Sequence, residues 1–370
     1  MIRFRLERRI DPPRYLSWAV PVASVVLALV ASGLLLLAFG ANPIDTFAAM
    51  WDGAFGDIFG GEVYSASETL VRATPLMLTG LAVAVAFKMK FWNIGAEGQL
   101  VMGGIAASAV ALFLPDAAPW VPQTLVVYGL IMGGAAILAG ALWALIPALL
   151  KAYLNVSEII VTLMLNYIAI LWYSQLFTTS WKDPEGLGFP GSALFPEFTW
   201  LPRFSNTRVN VALLIGLVAA VGVWVLFAKT RAGYEIRLLG DNPEAARFAG
   251  VSVFRNILLV MLISGGLAGL AGMGEVAGIS HKLQQGLSAN NGFTAIIVAW
   301  VAKLQPGAIV LVSILLAAVF VGGDQIQMTM GLPASVAQVV QGVMLFFVLG
   351  GDIFSQYRIR VSRERVGVVA

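Results

Sequence analysis

The sequence predicts an all-α polytopic membrane protein of about ten transmembrane helices. Three observations carry that expectation. The 370 residues are 59% hydrophobic and only 12% charged, with a mean hydropathy of +0.86, whereas a soluble domain is about half apolar. Apolar runs of about 17–25 residues, the length that crosses the hydrocarbon layer as helix, recur from end to end. The strand-type alternation of a membrane barrel is absent.

Ten spans follow from the apolar runs, at about 16–40, 67–87, 97–114, 123–150, 157–178, 209–228, 256–279, 288–303, 307–323 and 334–350. The first is preceded by a basic stretch, as in a signal peptide. Its apolar run reaches Gly40, too long for a signal h-region, so it is kept as a span. The eighth, around "SANNGFTAIIVAWVAK", is short enough to read as a broken or re-entrant helix. Spans two to five and seven to ten have similar order, the pattern of a weak internal repeat.

Basic residues fix the expected orientation. With both termini inside, 18 of the 23 lysines and arginines are cytoplasmic. Outside lie Lys182, Arg203, Arg208 and Lys282, and Arg72 falls within the second span, near enough its end to snorkel outward. The chain reads as one transmembrane domain over 1–370. Residues 1–15 form a basic cytoplasmic N-terminus, 229–255 the one long internal loop and 351–370 a cytoplasmic tail. The outer loops 41–66 and 179–208 are rich in Gly, Pro, Trp and Phe.

With no cysteine and a single histidine, disulfides, thiolate sites and a multi-histidine metal centre are excluded within one chain. His281 falls at an outer loop, where it reads as a solvated residue. Only scattered carboxylates remain for acid–base work, which argues against a membrane enzyme. The net charge of +3 says little about nucleic acid, and none is expected as a partner.

The internal loop contains "GDNPEAARFAG", Gly240–Gly250. Asn242 is a good N-cap and Pro243 suits the first helical position. Glu244 then meets the positive end of the dipole, and Gly250 supplies the stop. So short a helix is marginal in water, and contact with something else must hold it. Ala245, Ala246 and Ala249 permit close approach, Phe248 offers an apolar anchor and Arg247 a charge.

Buried neutral groups are expensive in a membrane and suggest use. Asn166 and Tyr167 fall mid-span with Trp172 beyond them, and Gln338 and Gln341 share one helix face. With Phe293 they are candidates to line a path for a flat, neutral, hydrogen-bonding solute; the alternative is that they pin helices together. Glu68, Glu97, Glu158 and Glu275 fall near span ends, in reach of water or headgroups. Glu97 is expected in the first turn of its span, either capping the Gly95–Gly98 turn or gating.

The spacing Glu244-Ala245-Ala246, three residues, then Gly250 resembles the cytoplasmic signature of ATP-binding-cassette (ABC) importer permeases. "ETLVRATPLMLTGLAVAVAFKMKFWNIGAEGQL" (Glu68–Leu100), "NVSEIIVTLMLNYIA" and "GFTAIIVAWVAKLQP" are similar to blocks of the nucleoside, simple-sugar and branched-chain amino acid permeases, closest to the nucleoside type. The most specific motif is Asn93, Ile94, Gly95, Ala96, Glu97, Gly98 and Gln99. The likeness covers about residues 65–350, and Asn290-Asn291 depart from it, where a glycine and an aromatic are usual.

This resemblance implies a transport subunit of a bacterial inner membrane importer for a small neutral solute, nucleosides first and sugars next. It implies two permeases side by side, either two copies or this chain and a paralogue. Two ATPase subunits would carry ATP and Mg, and an external binding lipoprotein would deliver substrate. Asn242–Gly250 would be the coupling helix. The sequence has no Gly-Lys-Ser/Thr and hence no phosphate-cradling loop. The alternative is a transporter driven by an ion gradient, which usually needs midplane carboxylates where this chain has them at span ends.

Overall fold

Inside the hydrocarbon layer every backbone N–H and C=O must pair within the protein, and this apolar composition resolves that demand almost wholly with helices. The computed structural model describes residues 2–8, 16–57, 63–204 and 207–363, with side chains described from 19 on apart from scattered positions and those after 351. A strand β1 (Ile2–Arg8) precedes α1 (Leu16–Ala38), α2 (Pro43–Phe55), α3 (Tyr64–Lys88), α4 (Ala96–Ala117), α5 (Leu125–Leu154) and α6 (Glu158–Gln175). Then come α7 (Val211–Lys229), α8 (Arg231–Asp241), α9 (Pro243–Phe248), α10 (Val253–Glu275), α11 (Asn291–Val301), α12 (Pro306–Met330) and α13 (Ala334–Gln356). A second strand, β2 (Tyr357–Arg363), pairs antiparallel with β1, from Ile2 opposite Arg363 to Arg8 opposite Tyr357. Both α6 and α10 run on into five-residue π-helical turns, Leu176–Ser180 and Val276–Ser280.

Among the described residues seven helices are long and apolar enough to span, eight if the bent pair α1–α2 counts as one. Ten were expected. The run at 16–40 forms the 23 residues of α1, several of whose first side chains fall outside the described set. After it Gly40 takes a positive φ of 77°, and Asn42 accepts the Ile44 amide at 3.0 Å, so the chain restarts as α2 bent by 117°. The run at 288–303 yields only the 11 residues of α11. At ~1.5 Å per residue that is ~16 Å, about half the hydrocarbon thickness. The run at 334–350 lies within α13, several of whose side chains fall outside the described set.

The helices gather into two compact units, residues Ala54–Ala318 and the two chain ends, Met1–Gly53 with Val319–Ala370. In the larger unit α10 packs against α5, α4 and α3. Glycine makes this possible. A Cβ on Gly269 would strike the carbonyl of Ala136, one on Gly265 that of Gly140, and one on Gly272 that of Leu100. Backbone therefore meets backbone, the close approach that small residues allow between membrane helices. The most apolar window of α3 is 89% enclosed, against 28% for those of α5, α6 and α7, so α3 is core and the other three lie outermost. Phe87, Trp92 and Trp300 form an aromatic cluster where α3 and α11 end, with the two indoles stacked at 5.8 Å. In the smaller unit α1 packs on α13, and Leu36, Met50, Ile326, Val336 and Val340 form its core.

Candidate functional site

The stretch between α7 and α10 folds as predicted at its centre and acquires a base that the sequence reading missed. Thr230 caps α8 by accepting the Gly233 amide at 3.0 Å. On α8 the buried Glu235 accepts Arg231 Nε at 2.9 Å and the Asn256 amide at 3.0 Å, which ties α8 to α10. Those hydrogen bonds, first Asn256 and then Arg231, hold the Glu235 carboxyl below the usual carboxylate range. Gly240 lies so close to Lys88 that a Cβ would strike its carbonyl. On this base stands α9. Asn242 Oδ1 accepts both the Glu244 and Ala245 amides at 3.1 Å, with Pro243 next in sequence. Gly250 closes the helix at a positive φ of 77°, where only glycine is comfortable. Ala246 is fully buried, whereas Phe248 is 94% exposed. Every residue of α9 but Ala246 is exposed, and Phe248 is the one large apolar side chain that this anchored helix holds in the open.

The most specific sequence motif is a buried polar knot. Asn93 donates to Ser264 Oγ at 2.9 Å and to Gln99 Oε1 at 3.1 Å, and its own Oδ1 accepts the Gly95 amide at 2.9 Å. Ser264 in turn donates to the Ala82 carbonyl at 2.7 Å. Asn166 accepts the Gly98 amide at 2.8 Å and donates to the Ile94 carbonyl at 2.9 Å. Four helices, α3, α4, α6 and α10, are joined by side chains that would be costly to leave unpaired in hydrocarbon.

The fifth member of the knot is α11. Glu97 was expected either to cap the Gly95–Gly98 turn or to gate; its carboxylate leaves that turn and accepts the Gly292 amide at 2.7 Å. Ser288 and the backbone of Asn290 and Phe293 also bond to it. The carboxylate therefore sits on the positive end of the α11 dipole. It is also fully buried, not accessible to headgroups as its position near a span end suggested. Glycine at 292 is required, because a Cβ there would strike the Glu97 backbone.

The chain leading into α11 is irregular, and in a membrane protein such backbone is tolerated only where protein surrounds it. Its backbone is paired piece by piece. Ser192 Oγ accepts the Leu283 amide at 2.9 Å, Tyr173 donates to the Gln284 carbonyl, and the same hydroxyl accepts the Leu287 amide at 3.3 Å. The eighth predicted span thus forms only the short α11, after a break in regular structure. At its break Asn291 is buried with neither amide atom hydrogen-bonded. An unpaired buried amide costs about 1–3 kcal/mol, so the break is the least well held part of the knot.

His281 is not the solvated residue its loop position suggested. It is 6% exposed, stacked on Trp200 at 4.1 Å, with Arg203 donating to Nε2 at 2.7 Å. Burial first, and the neighbouring Arg203 guanidinium second, push its pKa down to about 4. An unfolded histidine titrates near ~6.5, so between the two values the unfolded state binds more protons. Stability of the loop packing around Trp200, Arg203 and His281 is therefore expected to be complete above pH ~6.5 and to fall as the pH drops toward about 4. Trp200 fluorescence followed against pH checks this. His281→Phe, which keeps the stack and removes the titration, should flatten the curve.

The candidate path residues separate. Asn166 is fully buried and spends both amide atoms on α4. Gln341 reaches the carbonyls of Val319 and Phe320 at 3.5 and 3.4 Å, so it too pins helices. Phe293 is half-buried at the start of α11, and Gln338 is exposed on α13. Tyr167 and Trp172 are exposed on α6, 56% and 48%, on a stripe with Ile160, Met164, Ile168 and Leu171. The sequence reading missed Glu235, Asn256, Ser264 and Tyr173. The Arg231–Glu235 spacing of four was a visible signal, and the glycines of "SGGLAGLAGMG" another; nothing local marks Tyr173.

The branched-chain amino acid transport system / permease component family matches residues 65–349. The glucose ABC transporter permease protein of Haloferax volcanii is 34% identical over 99% of this chain and 96% of its own length. The guanosine ABC transporter permease protein of Bacillus subtilis is 35% identical, over 92% and 94%. The nucleoside ABC transporter permease protein of Lactococcus lactis is 31% identical, over 89% and 90%. Helices fit to span a membrane and likeness along nearly the whole length agree: the chain belongs to the branched-chain amino acid transport system permease family and is a multi-pass membrane permease of the ABC transporter class.

Proposed function

We propose that this permease imports a nucleoside, or next a simple sugar, across a bacterial inner membrane, with ATP hydrolysed on separate ATPase subunits that grip α9. The observation that carries the reading is Phe248, 94% exposed on a helix capped by Asn242 and seated on α8. A side chain so apolar, held out on a rigid base, fits a cleft in a partner. Both termini and the loop 229–255 are cytoplasmic in this reading, as the basic-residue count favours.

The exposed stripe of α6 supports a path shared with a second permease. Tyr167 is the tenth residue of the 18 in α6, near mid-span, whereas lipid-facing tyrosine and tryptophan gather at the two membrane interfaces. Their aromatic faces and polar tips suit a flat solute with hydrogen-bonding edges, and two of the relatives above carry guanosine and nucleoside in their names. An external binding lipoprotein would deliver the solute to the outer loops.

The test is uptake into proteoliposomes that hold this chain, its ATPase and its binding protein. Labelled guanosine and glucose are compared with and without ATP. ATP-dependent guanosine uptake is expected, with Tyr167→Ala raising its KM about tenfold, roughly the loss of one stacking contact. Uptake of glucose alone would replace the nucleoside reading with the sugar one. Uptake driven by a proton gradient without ATPase would overturn the whole assignment.

A further inference from the structure

Among the described residues Asn291 is the one buried side-chain amide with neither polar atom hydrogen-bonded, and it is only 1% exposed. Its surroundings restrict what it could bind. At the start of α11 the amides of Asn291 and Thr294 go to the Ser288 and Asn290 carbonyls, at 2.7 and 3.0 Å. Those of Gly292 and Phe293 go to the Glu97 carboxylate. No backbone donor is left at that end for an anion, and the buried carboxylate repels one. A ligand there is neutral, and the Asn291 amide offers it one acceptor and two donors. The backbone on either side is strained. Ala289 and Asn290, both exposed, take positive φ of 43° and 61°, and Lys303 and Leu304 beyond the other end take 51° and 56°. Such backbone is costly without glycine and gathers at ligand clamps and switch regions. Thus α11 is a short rigid helix between two strained joints, with Asn291 one residue from exposed chain. The break is also tied to α6, the helix of Tyr167, by the Tyr173 hydroxyl at Gln284 and Leu287.

We propose that Asn291 reads the base of the transported nucleoside. As α11 turns on its two joints, Nδ2 donates to O6 of a guanine-type base and Oδ1 accepts from N1–H. Side-chain amides make such paired bonds to base edges and discriminate by about tenfold or more. An amide with no partner in its own chain suits the role, because bonds to neighbouring helices would first have to break. The inference rests on the transport reading for the class of solute and adds the group that selects it.

Proteoliposomes of the complete transporter are given labelled guanosine or labelled purine riboside, the nucleoside that lacks O6, N2 and the N1 proton. The ratio of kcat/KM for the two is compared between the native chain and Asn291→Leu. The binding protein lends the same preference to both chains, so it cancels. The native chain is expected to favour guanosine, and the leucine variant to lower the ratio about tenfold. That variant should also melt at the native temperature or above, because an unpaired buried amide gives way to an apolar group of similar size. Asn291→Ala, which removes the side chain without reshaping it, should lower the ratio equally and reads it if leucine does not fit. A native ratio in the alanine variant overturns the inference and leaves nucleoside transport standing. An equal loss of uptake for both nucleosides does the same, since it marks a purely structural amide. ATP-dependent uptake of glucose alone, with neither nucleoside carried, overturns the transport reading and this inference with it.

Discussion

Gly269→Leu is expected to leave almost no folded protein in detergent. Four carbons would have to enter a seam where a Cβ alone would strike the Ala136 carbonyl, and where Gly103 and Gly140 approach the same stretch of backbone. Overpacking against side chains typically costs about 1–3 kcal/mol, and here the obstacles are main chain on two neighbouring helices, so the cost lies at or above the upper end. The comparison is Gly129→Leu on α5, where an added Cβ meets nothing within 4 Å. That change should be neutral or mildly stabilising, since leucine is the better helix former. Thermal melts by size-exclusion chromatography measure both. Similar melting of the two variants would mean that α10 does not pack on α4 and α5 as described.

Phe248→Ala should have the opposite profile, with folding untouched and transport lost. At 94% exposure the ring contributes little to the chain's own stability. As a central anchor in a partner's cleft it would be worth about 2 kcal/mol or more, or roughly 30-fold in affinity for the ATPase. Glu244→Ala and Gly250→Ala should uncouple uptake from ATP hydrolysis less completely. The first removes a charge favoured by the dipole, and the second strains a residue at φ 77°. Pull-down of the ATPase and ATP-driven uptake are measured in parallel. Full uptake by Phe248→Ala with undiminished ATPase binding would reject α9 as the coupling element, while leaving the assignment to the permease family intact.

Much of this was legible in one dimension because the signals are local. Asn242, Pro243 and Gly250 each act on backbone within three residues, so the start and stop of α9 could be read directly, and the apolar runs marked every long helix. The Asn93–Gln99 motif was visible as a pattern, but its work was not. Its partners Asn166, Ser264 and Gly292 lie 68 to 195 residues away along the chain. The same distance hid the role of Glu97, whose nearby turn suggested a local cap while the carboxylate went to the start of α11. His281 was misplaced for a related reason. Position in a loop implies water, but Trp200 and Arg203, some 80 residues earlier in the chain, cover it.

Composition and local backbone chemistry alone determined that this chain is a helical membrane protein with one short, capped helix in the loop between α7 and α10. Hydrophobicity and capping depend on a residue and its immediate neighbours, so no fold is needed to read them. Tertiary structure alone decided which polar groups are spent and which remain available. Asn166 and Tyr167 are adjacent in sequence, yet one is locked to α4 and the other stands exposed on α6. Successive residues on a helix point about 100° apart, and only the packing of the other helices settles which direction is inward.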